Sequence, residues 1–301
     1  MTPTKTLPAA TITHNQQIRG MYPETHASSE VTASLLILRA RPFVKWVGGK
    51  QAIASKLIEY FPTTFRTYYE PFIGGGSVFF SLLPREGVIC DQNTWLIDTY
   101  LAIREDWALV AKILDSLENT KEDYLKIRCI PHVQLDLFQR AAHFIYLNKT
   151  GFRGLFRVNK NGGFNVPYGA YDRRYYDPEN LEAASIALQN VEIRCGDFEL
   201  GIDEITDKDF MYLDPPYHKL GGYSDFNRYT KEKFYEEDQR RLAILCRELD
   251  TKGVRWALSN SDTELIRDLY YGYHFNEIKN RREINLNSQS RSITELLITN
   301  Y

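Results

Sequence analysis

The chain has 301 residues, enough for one large domain or two with a sizeable core. Hydrophobic content of 43% and charged content of 25% are ordinary for a soluble globular protein. No apolar run reaches the ~18 residues of a membrane span, and no basic patch followed by an apolar core opens the chain, so neither spanning nor secretion is expected. A net charge of −2 argues by itself against a nucleic-acid partner, so any such contact must come from local patches.

Residues 1 to about 40 are rich in Thr, Pro, Ala and Ser, lack periodicity, and read as a poorly ordered extension. The apolar Leu35–Leu38 near its end is expected to dock onto the body. Phe43–Val47 then reads as a strand-like start into the Gly48-Gly49 turn, with Trp46 and Lys50 flanking the glycines. Ile53, Leu57, Ile58 and Phe61 recur at helical spacing, predicting a helix over 51–61. A glycine turn before a helix can hold an anion, but the P-loop spacing is absent, and Gln51 stands where a Mg²⁺-binding hydroxyl belongs. A plain capping turn with an exposed lysine is the other reading.

Tyr68–Glu70 and the following Pro71-Phe72-Ile73-Gly74-Gly75-Gly76-Ser77 have the shape of strand, glycine turn and helix. The spacing is not that of a dinucleotide fingerprint. A second strand, Val88–Asp91, ends in an acid at the position from which a carboxylate reaches ribose hydroxyls in such folds. The pair therefore points to a nucleoside-containing cofactor.

Helices are predicted over 95–118, with Leu96, Ile97, Tyr100, Leu101, Ile103, Trp107, Leu109 and Ile113 on the apolar face, and over 121–150 with a break at Pro131. From Gly151 to Tyr171 the periodicity collapses into Gly, Asn, Arg and aromatics. A structureless loop of this length inside a domain is usually functional. Arginine can read guanine bidentately and aromatic rings can wedge or stack on bases. A β-hairpin excursion with surface arginines is the bland alternative. Charge supports the first reading: between Lys149 and Arg174, six basic residues face the single acid Asp172. A second basic cluster comprises Lys279, Arg281, Arg282 and Arg291.

The α/β alternation resumes with a strand at 191–195 followed by Asp197-Phe198, and a strand at 210–213 that runs into Asp214-Pro215-Pro216-Tyr217. Two prolines cannot continue a sheet interior, so a carboxylate and an aromatic ring are left at the carboxyl end of a strand, where open α/β sheets bind ligands. The Asp214 carboxylate, the Pro215 carbonyl and a flat ring suit a planar heterocycle with an exocyclic amino group; a turn with a capping Asp is the plain alternative. Residues 218–229 suggest a mobile loop over the site, 231–249 and 263–271 helices, and 254–259 and 293–298 strands, the last in an antiparallel edge pair.

The cysteines Cys90, Cys129, Cys195 and Cys246 are far apart in apolar surroundings, with no Cys-x-x-Cys, so no disulfide framework or zinc ribbon is expected and a reducing cytoplasm fits. The histidines show no metal-ligand spacing, and no metal is expected.

In order, these features are Lys-Trp-x-Gly-Gly-Lys, Glu-Pro-Phe-x-Gly-Gly-Gly, a strand-end acid, an Arg/aromatic segment and Asp-Pro-Pro-Tyr. From Phe43 to Tyr301 the chain resembles the alpha group of DNA adenine methyltransferases, most closely the Dam-type enzymes that methylate GATC. The resemblance implies a Rossmann-like class I methyltransferase α/β sheet, doubly wound, with an inserted, mostly helical target recognition domain between the third and fourth predicted strands. The implied division is 1–40 as extension, 41–104 and 188–301 as the catalytic S-adenosylmethionine-binding domain, and 105–187 as the DNA-binding domain.

By the same resemblance, Trp46, Gly48, Lys50, Glu70, Phe72, Gly74, Gly76, Asp91, Asp197, Phe198 and Asp214 would hold S-adenosyl-L-methionine. Asp214, Pro215, Pro216 and Tyr217 would be catalytic. Lys45, Phe152, Arg153, Leu155, Arg157, Pro167 and Tyr171 would contact double-stranded DNA, with Arg157 reading a guanine. Arg153 departs from the small amide of some relatives. A monomer acting on the nucleoid is expected. The alternatives are an amino-methyltransferase of RNA or cytosine, and a DNA-binding relative that has lost catalysis.

Overall fold

The computed structural model describes residues 36–218, 234–281 and 292–301. The expected extension up to residue 35 and most of the expected loop, residues 219–229, lie outside the described residues, as do Arg282 and Arg291 of the second basic cluster.

Among the described residues, seven strands form one sheet: β1 (Tyr68–Glu70), β2 (Gly87–Asp91), β3 (Val191–Cys195), β4 (Phe210–Leu213), β5 (Arg255–Ser261), β6 (His274–Arg281) and β7 (Ser292–Thr299). Their order is β3-β2-β1-β4-β5-β7-β6. The first five pair in parallel. β7 is antiparallel to both β5 and β6, so the last strand enters between them and β6 takes the edge. The expected antiparallel pair thus exists, but its partner β6 had no signal of its own. Ile278 is buried on this strand whereas His274, Glu277 and Lys279 are exposed, as befits an edge.

The strand predicted at Phe43–Val47 does not form. Phe43 and Val44 are buried, and both backbone groups of Lys45 are taken by one side chain: Asn148 Oδ1 accepts from its N–H (2.7 Å) and Asn148 Nδ2 donates to its carbonyl (2.9 Å). The helix predicted over 51–61 shrinks to α1 (Ala54–Ile58), and α2 (Ser77–Leu82) follows the triple-glycine turn.

Between β2 and β3 lie α3 (Thr94–Asp115), α4 (Lys121–Cys129), α5 (Leu137–Thr150) and α6 (Pro178–Leu188). The side chains of Asn93, Thr120 and Asp136 cap the first three by accepting backbone N–H groups. α3 is not one straight helix. Asp106 has φ −153° and ψ 81°, and its carboxylate caps the second half by accepting from Leu109 N (2.9 Å). The kink rotates the apolar face, so Val110, Ala111 and Leu114 are buried while Leu109, predicted inward, is exposed. The expected domain boundary at 104–105 falls beside this kink. One buried cluster runs through both sides of it, from Phe79, Ile89 and Leu96 to Phe144, Ile145 and Leu181. Each such side chain contributes about 1.5–3 kcal/mol by burial.

α7 (Glu236–Thr251) and α8 (Glu264–Leu269) flank β5 in the chain. A second cluster joins Leu242, Leu245 and Leu249 of α7 to Trp256, Leu258, Leu296 and Ile298 of the sheet. Cys90 and Cys246 are buried, but Cys129 and Cys195 are exposed rather than set in apolar surroundings; all four are free thiols.

Candidate active site

In the order β3-β2-β1-β4-β5, the connection reverses between β1 and β4, which makes their carboxyl ends the topological switch point. Glu70 ends β1, and Asp214 follows β4 directly. Asp91 ends β2 and Asp197 comes two residues after β3. The strand-end acids expected from the sequence therefore share one edge of the sheet.

Lys50 links the first glycine turn to Asp214. Its ammonium lies 2.9 Å from Asp214 Oδ1, donates to the Gly48 carbonyl (2.7 Å), and sits 4.7 Å from the centroid of the Tyr217 ring. Lys50 is buried, and the Asp214 side chain is only 17% exposed. Yet Asp214 Oδ1 has no aligned hydrogen-bond donor among the described residues, so the contact is a close ion pair with an acceptor site left over. Burial pushes the Asp214 carboxyl up from 3.8 to about 6; Lys50 pulls it down and Glu295 pushes it further up. Glu70 is buried, accepts from Tyr68 Oη (2.7 Å), and is held well above the usual carboxylate range by burial, with Asp214 adding to the effect.

The Asp-Pro-Pro-Tyr segment is fixed by residues with no motif to announce them. Gln239 Nε2, from α7, donates to the Pro216 carbonyl (2.9 Å). Asn260 Nδ2, on β5, donates to Gln239 Oε1 (3.0 Å), and Asn260 Oδ1 accepts from His218 N (3.1 Å). Ser261 Oγ donates to the His218 carbonyl. Tyr217 Oη donates to Glu295 Oε2 on β7 (2.8 Å). Gln239 and Asn260 are buried, so the centre of this polar network is shielded and geometrically defined. Pro216 is exposed and Pro215 buried.

Trp46 packs its ring against Phe156 and Phe144 and lies along the glycine turn. A Cβ at Gly74, where φ is +48°, would come within 2.7 Å of Trp46 Cδ1. A Cβ at Gly76, φ +73°, would meet Tyr100 Oη at 2.6 Å. Both positions therefore need glycine. Asp91 closes this turn onto β2, accepting from Gly74 N (3.1 Å) and Asn93 N (2.9 Å); burial raises its carboxyl to about 6. Its two oxygens retain further lone pairs for another donor.

Phe72 stacks on Phe198 at 5.4 Å and 27°, with Phe234 edge-on to Phe72. Phe198 is buried, and Arg241 lies 4.8 Å from its ring. The Asp197 carboxylate is already engaged by Arg241 (2.9 Å) and Gln92 Nε2 (3.1 Å).

The segment expected to be structureless is a pinned hairpin. Gly151 bridges Tyr168 and Val158 bridges Phe164. Phe156 and Phe164 are buried against Trp95 and Trp46, so these aromatics are core and not wedges, contrary to expectation. Phe152 remains exposed, and Leu155 is partly buried. Arg157 is exposed but not loose: its Nε donates to Asn165 Oδ1 (2.6 Å) and Nη2 to the Asn165 carbonyl (2.8 Å). Two of five donors are used, which leaves a fork held in place. Arg153 adopts φ +59°, its N–H donating to Tyr171 Oη (2.8 Å). Tyr171 lies under Lys45 (5.6 Å) and Arg173 (4.8 Å). The exposed Pro167 gives its carbonyl to Phe152 N (2.8 Å). Lys45, Phe152, Arg153, Leu155, Pro167 and Tyr171 are thus brought together around one loop. Among the described residues no cluster of His, Cys, Asp and Glu could hold a metal, and no helix is long and apolar enough to cross a membrane.

The sequence has relatives among known proteins. Residues 46–284 match the D12 class N6 adenine-specific DNA methyltransferase family. A type II methyltransferase of Lactococcus lactis subsp. cremoris is 39% identical over 274 residues, 88% of this chain and 96% of that protein. One from Methanocaldococcus jannaschii is 40% identical over 290 residues, 88% of this chain and all of that protein. The DNA adenine methylase of Escherichia coli (strain K12) is 31% identical over 265 residues, 87% and 95% of the two chains.

Proposed function

The chain belongs to the D12 class N6 adenine-specific DNA methyltransferase family, and on that premise we propose that it methylates the adenine of GATC after turning that base out of the duplex. It is an adenine-specific DNA methyltransferase that uses S-adenosylmethionine as methyl donor. When bound, that group supplies a methyl carbon made electrophilic by a sulfonium. The residues present suit it: Asp91 keeps lone pairs for another donor at the strand end beside the Gly74–Gly76 turn, along which Trp46 lies, and a Cβ at the exposed Gly48 would meet nothing within 4 Å. We assign Trp46, the Gly48 turn, the Glu70–Gly76 segment, Asp91 and the Phe72–Phe198 stack to its pocket. Asp91 would offer its remaining lone pairs to ribose hydroxyls, and Asp197 would act through its ion pair with Arg241.

The observation that carries the reading is the Asp214 carboxylate, a buried acceptor without an aligned donor, beside the Tyr217 ring at the switch point. In a duplex the adenine amino group is stacked and paired, so the base must leave the helix to reach it. Tyr217, fixed through Glu295, stacks on the base. The Asp214 carboxylate and the Pro215 carbonyl accept the two amino hydrogens, drawing the nitrogen lone pair out of conjugation. Pro216 and the Gln239–Asn260 network hold this arrangement, so catalysis rests on orientation and preorganised charge. No covalent bond to the protein is needed.

Arg157, steadied by Asn165, presents its free edge to a guanine; Lys45, Leu155, Pro167 and Tyr171 complete base contact, and Phe152 and Arg153 border the site. This assigns recognition to the 105–187 insertion together with Lys45. The test is digestion of plasmid DNA from cells that express the chain. One nuclease should cut only methylated GATC and the other only unmethylated GATC. A switch in both is expected. Tritium entering DNA without that switch would overturn the site. Tritium entering RNA but not DNA would overturn the reading.

A further inference from the structure

Tyr217 is gripped on both sides of its own backbone. The carbonyl of the residue before it, Pro216, accepts from Gln239 Nε2 (2.9 Å), and the N–H of the residue after it, His218, donates to Asn260 Oδ1 (3.1 Å). The two side-chain amides are bonded to each other, Asn260 Nδ2 donating to Gln239 Oε1 (3.0 Å). One pair of side chains, from α7 and β5, therefore fixes the peptide groups that flank Tyr217. Its hydroxyl is held separately, by Glu295 on β7 (2.8 Å).

The backbone dictates which way each amide points. Asn260 Oδ1 also accepts from Ser261 N (2.9 Å), so two backbone N–H groups face it and Nδ2 must turn to Gln239. Gln239 then presents Oε1 to Asn260, which leaves Nε2 for Pro216. Packing alone does not call for an amide here. Gln239 is 1% exposed, on a helix face that otherwise buries Leu242, Leu245, Cys246 and Leu249. An apolar side chain is the ordinary occupant of such a position, because a buried amide costs free energy unless each of its groups is bonded. None of the bonds of Gln239 reaches a residue assigned to the cofactor pocket; on α7 that link is made two residues later, by Arg241 to Asp197 (2.9 Å).

We propose that Gln239 is a positioning residue for methyl transfer, acting through Tyr217 by holding its backbone so that the ring meets the target adenine at a fixed angle. This rests on the reading of Tyr217 as the ring that stacks on the base, and adds the residue that sets the ring's orientation.

The test is steady-state methyl transfer to a GATC duplex by Gln239→Met, Gln239→Asn, Tyr217→Ala and each Gln239 variant combined with Tyr217→Ala. A thermal melt checks folding and calorimetry reads cofactor affinity. Methionine removes both bonds; asparagine keeps an amide that is one methylene too short to span Asn260 and Pro216. Each Gln239 variant should lose about 10- to 100-fold in kcat, with KM and Kd for the cofactor changed less than about 2-fold. In the Tyr217→Ala background the same substitutions should cost less than about 2-fold further, because the ring they position is gone. Equal losses with and without the ring would overturn the proposal and mark a structural tie between α7 and β5. So would unchanged kcat in the folded variants, or cofactor affinity falling as far as kcat. Should Gln239→Met not fold, Gln239→Asn decides by the same readouts. Failure of the stacking reading looks different: Tyr217→Ala alone would turn over like the wild type, and the proposal would fall with it.

Discussion

Asp214→Asn should make the protein nearly inactive and, at the same time, more stable. The carboxyl sits at about 6 in the folded chain against an ordinary 3.8, because burial outweighs the Lys50 ion pair. The folded state therefore holds the proton more firmly than the unfolded state does. Stability from this group is complete below pH ~4 and is lost as pH rises through about 6. At pH 7 the ionised carboxylate costs up to about 3 kcal/mol, with the charged Lys50 already taken into account. Asparagine keeps the shape and removes the charge, so much of that cost should be recovered, raising Tm by up to about 5 °C in a chain of this size. In the proposed mechanism the same change removes the charged acceptor of an amino hydrogen, and kcat should fall by about 10²-fold or more with KM for the cofactor little changed. The assays are a thermal melt at pH 5 and pH 7.5 and steady-state methyl transfer. The stabilisation should be full at pH 7.5 and about half as large at pH 5, where the unfolded carboxyl is still ionised. A variant that is less stable at pH 7.5, or that loses kcat and cofactor affinity equally, would refute the reasoning.

Wild-type turnover should fall as pH drops through about 6, where Asp214 takes up its proton. Lys50→Met removes the nearby cation that lowers this carboxyl, so the acid limb should move to higher pH and activity at pH 7 should recover partly at pH 8.5; an unmoved limb in a pH–rate profile would count against the ion pair's role. Arg157→Ala, at an exposed side chain, should lower discrimination between GATC and a duplex with the guanine replaced by about 1–3 kcal/mol, read by competition binding, with Tm unchanged. Gly74→Ala forces a Cβ within 2.7 Å of Trp46 at a positive φ, so a melt should show a loss of about 1–3 kcal/mol and calorimetry a weaker cofactor.

The parts of the site that the sequence made legible are those tied to the backbone. Two adjacent prolines must end β4, and three glycines must open the turn after β1. Each acid therefore lies at a strand end whatever the rest of the chain does. The supporting residues carried no such sign. Gln239, Asn260, Ser261 and Glu295 come from α7, β5 and β7, and a buried polar side chain far away in sequence breaks no pattern that spacing can detect. A buried polar residue on β5, such as Asn260, is visible only once its partners are. The kink in α3 was hidden because Asp106 looks like any exposed helical acid until its capping of Leu109 is seen. The aromatics of the 151–171 hairpin were ambiguous for the opposite reason. Composition cannot separate Phe152, which faces out, from Phe156 and Phe164, which Trp95 and Trp46 cover.

The central claim is that Asp214 and its neighbours methylate the N6 atom of adenine within GATC. The most direct measurement is transfer of label from S-adenosylmethionine to a GATC duplex and to four duplexes in which each base pair of the site is replaced in turn, with the product nucleoside identified by mass spectrometry. The account predicts N6-methyladenine in the GATC duplex, at least tenfold less in each replaced duplex, and almost none from Asp214→Asn. Equal label in all five duplexes, or label on cytosine, would contradict it.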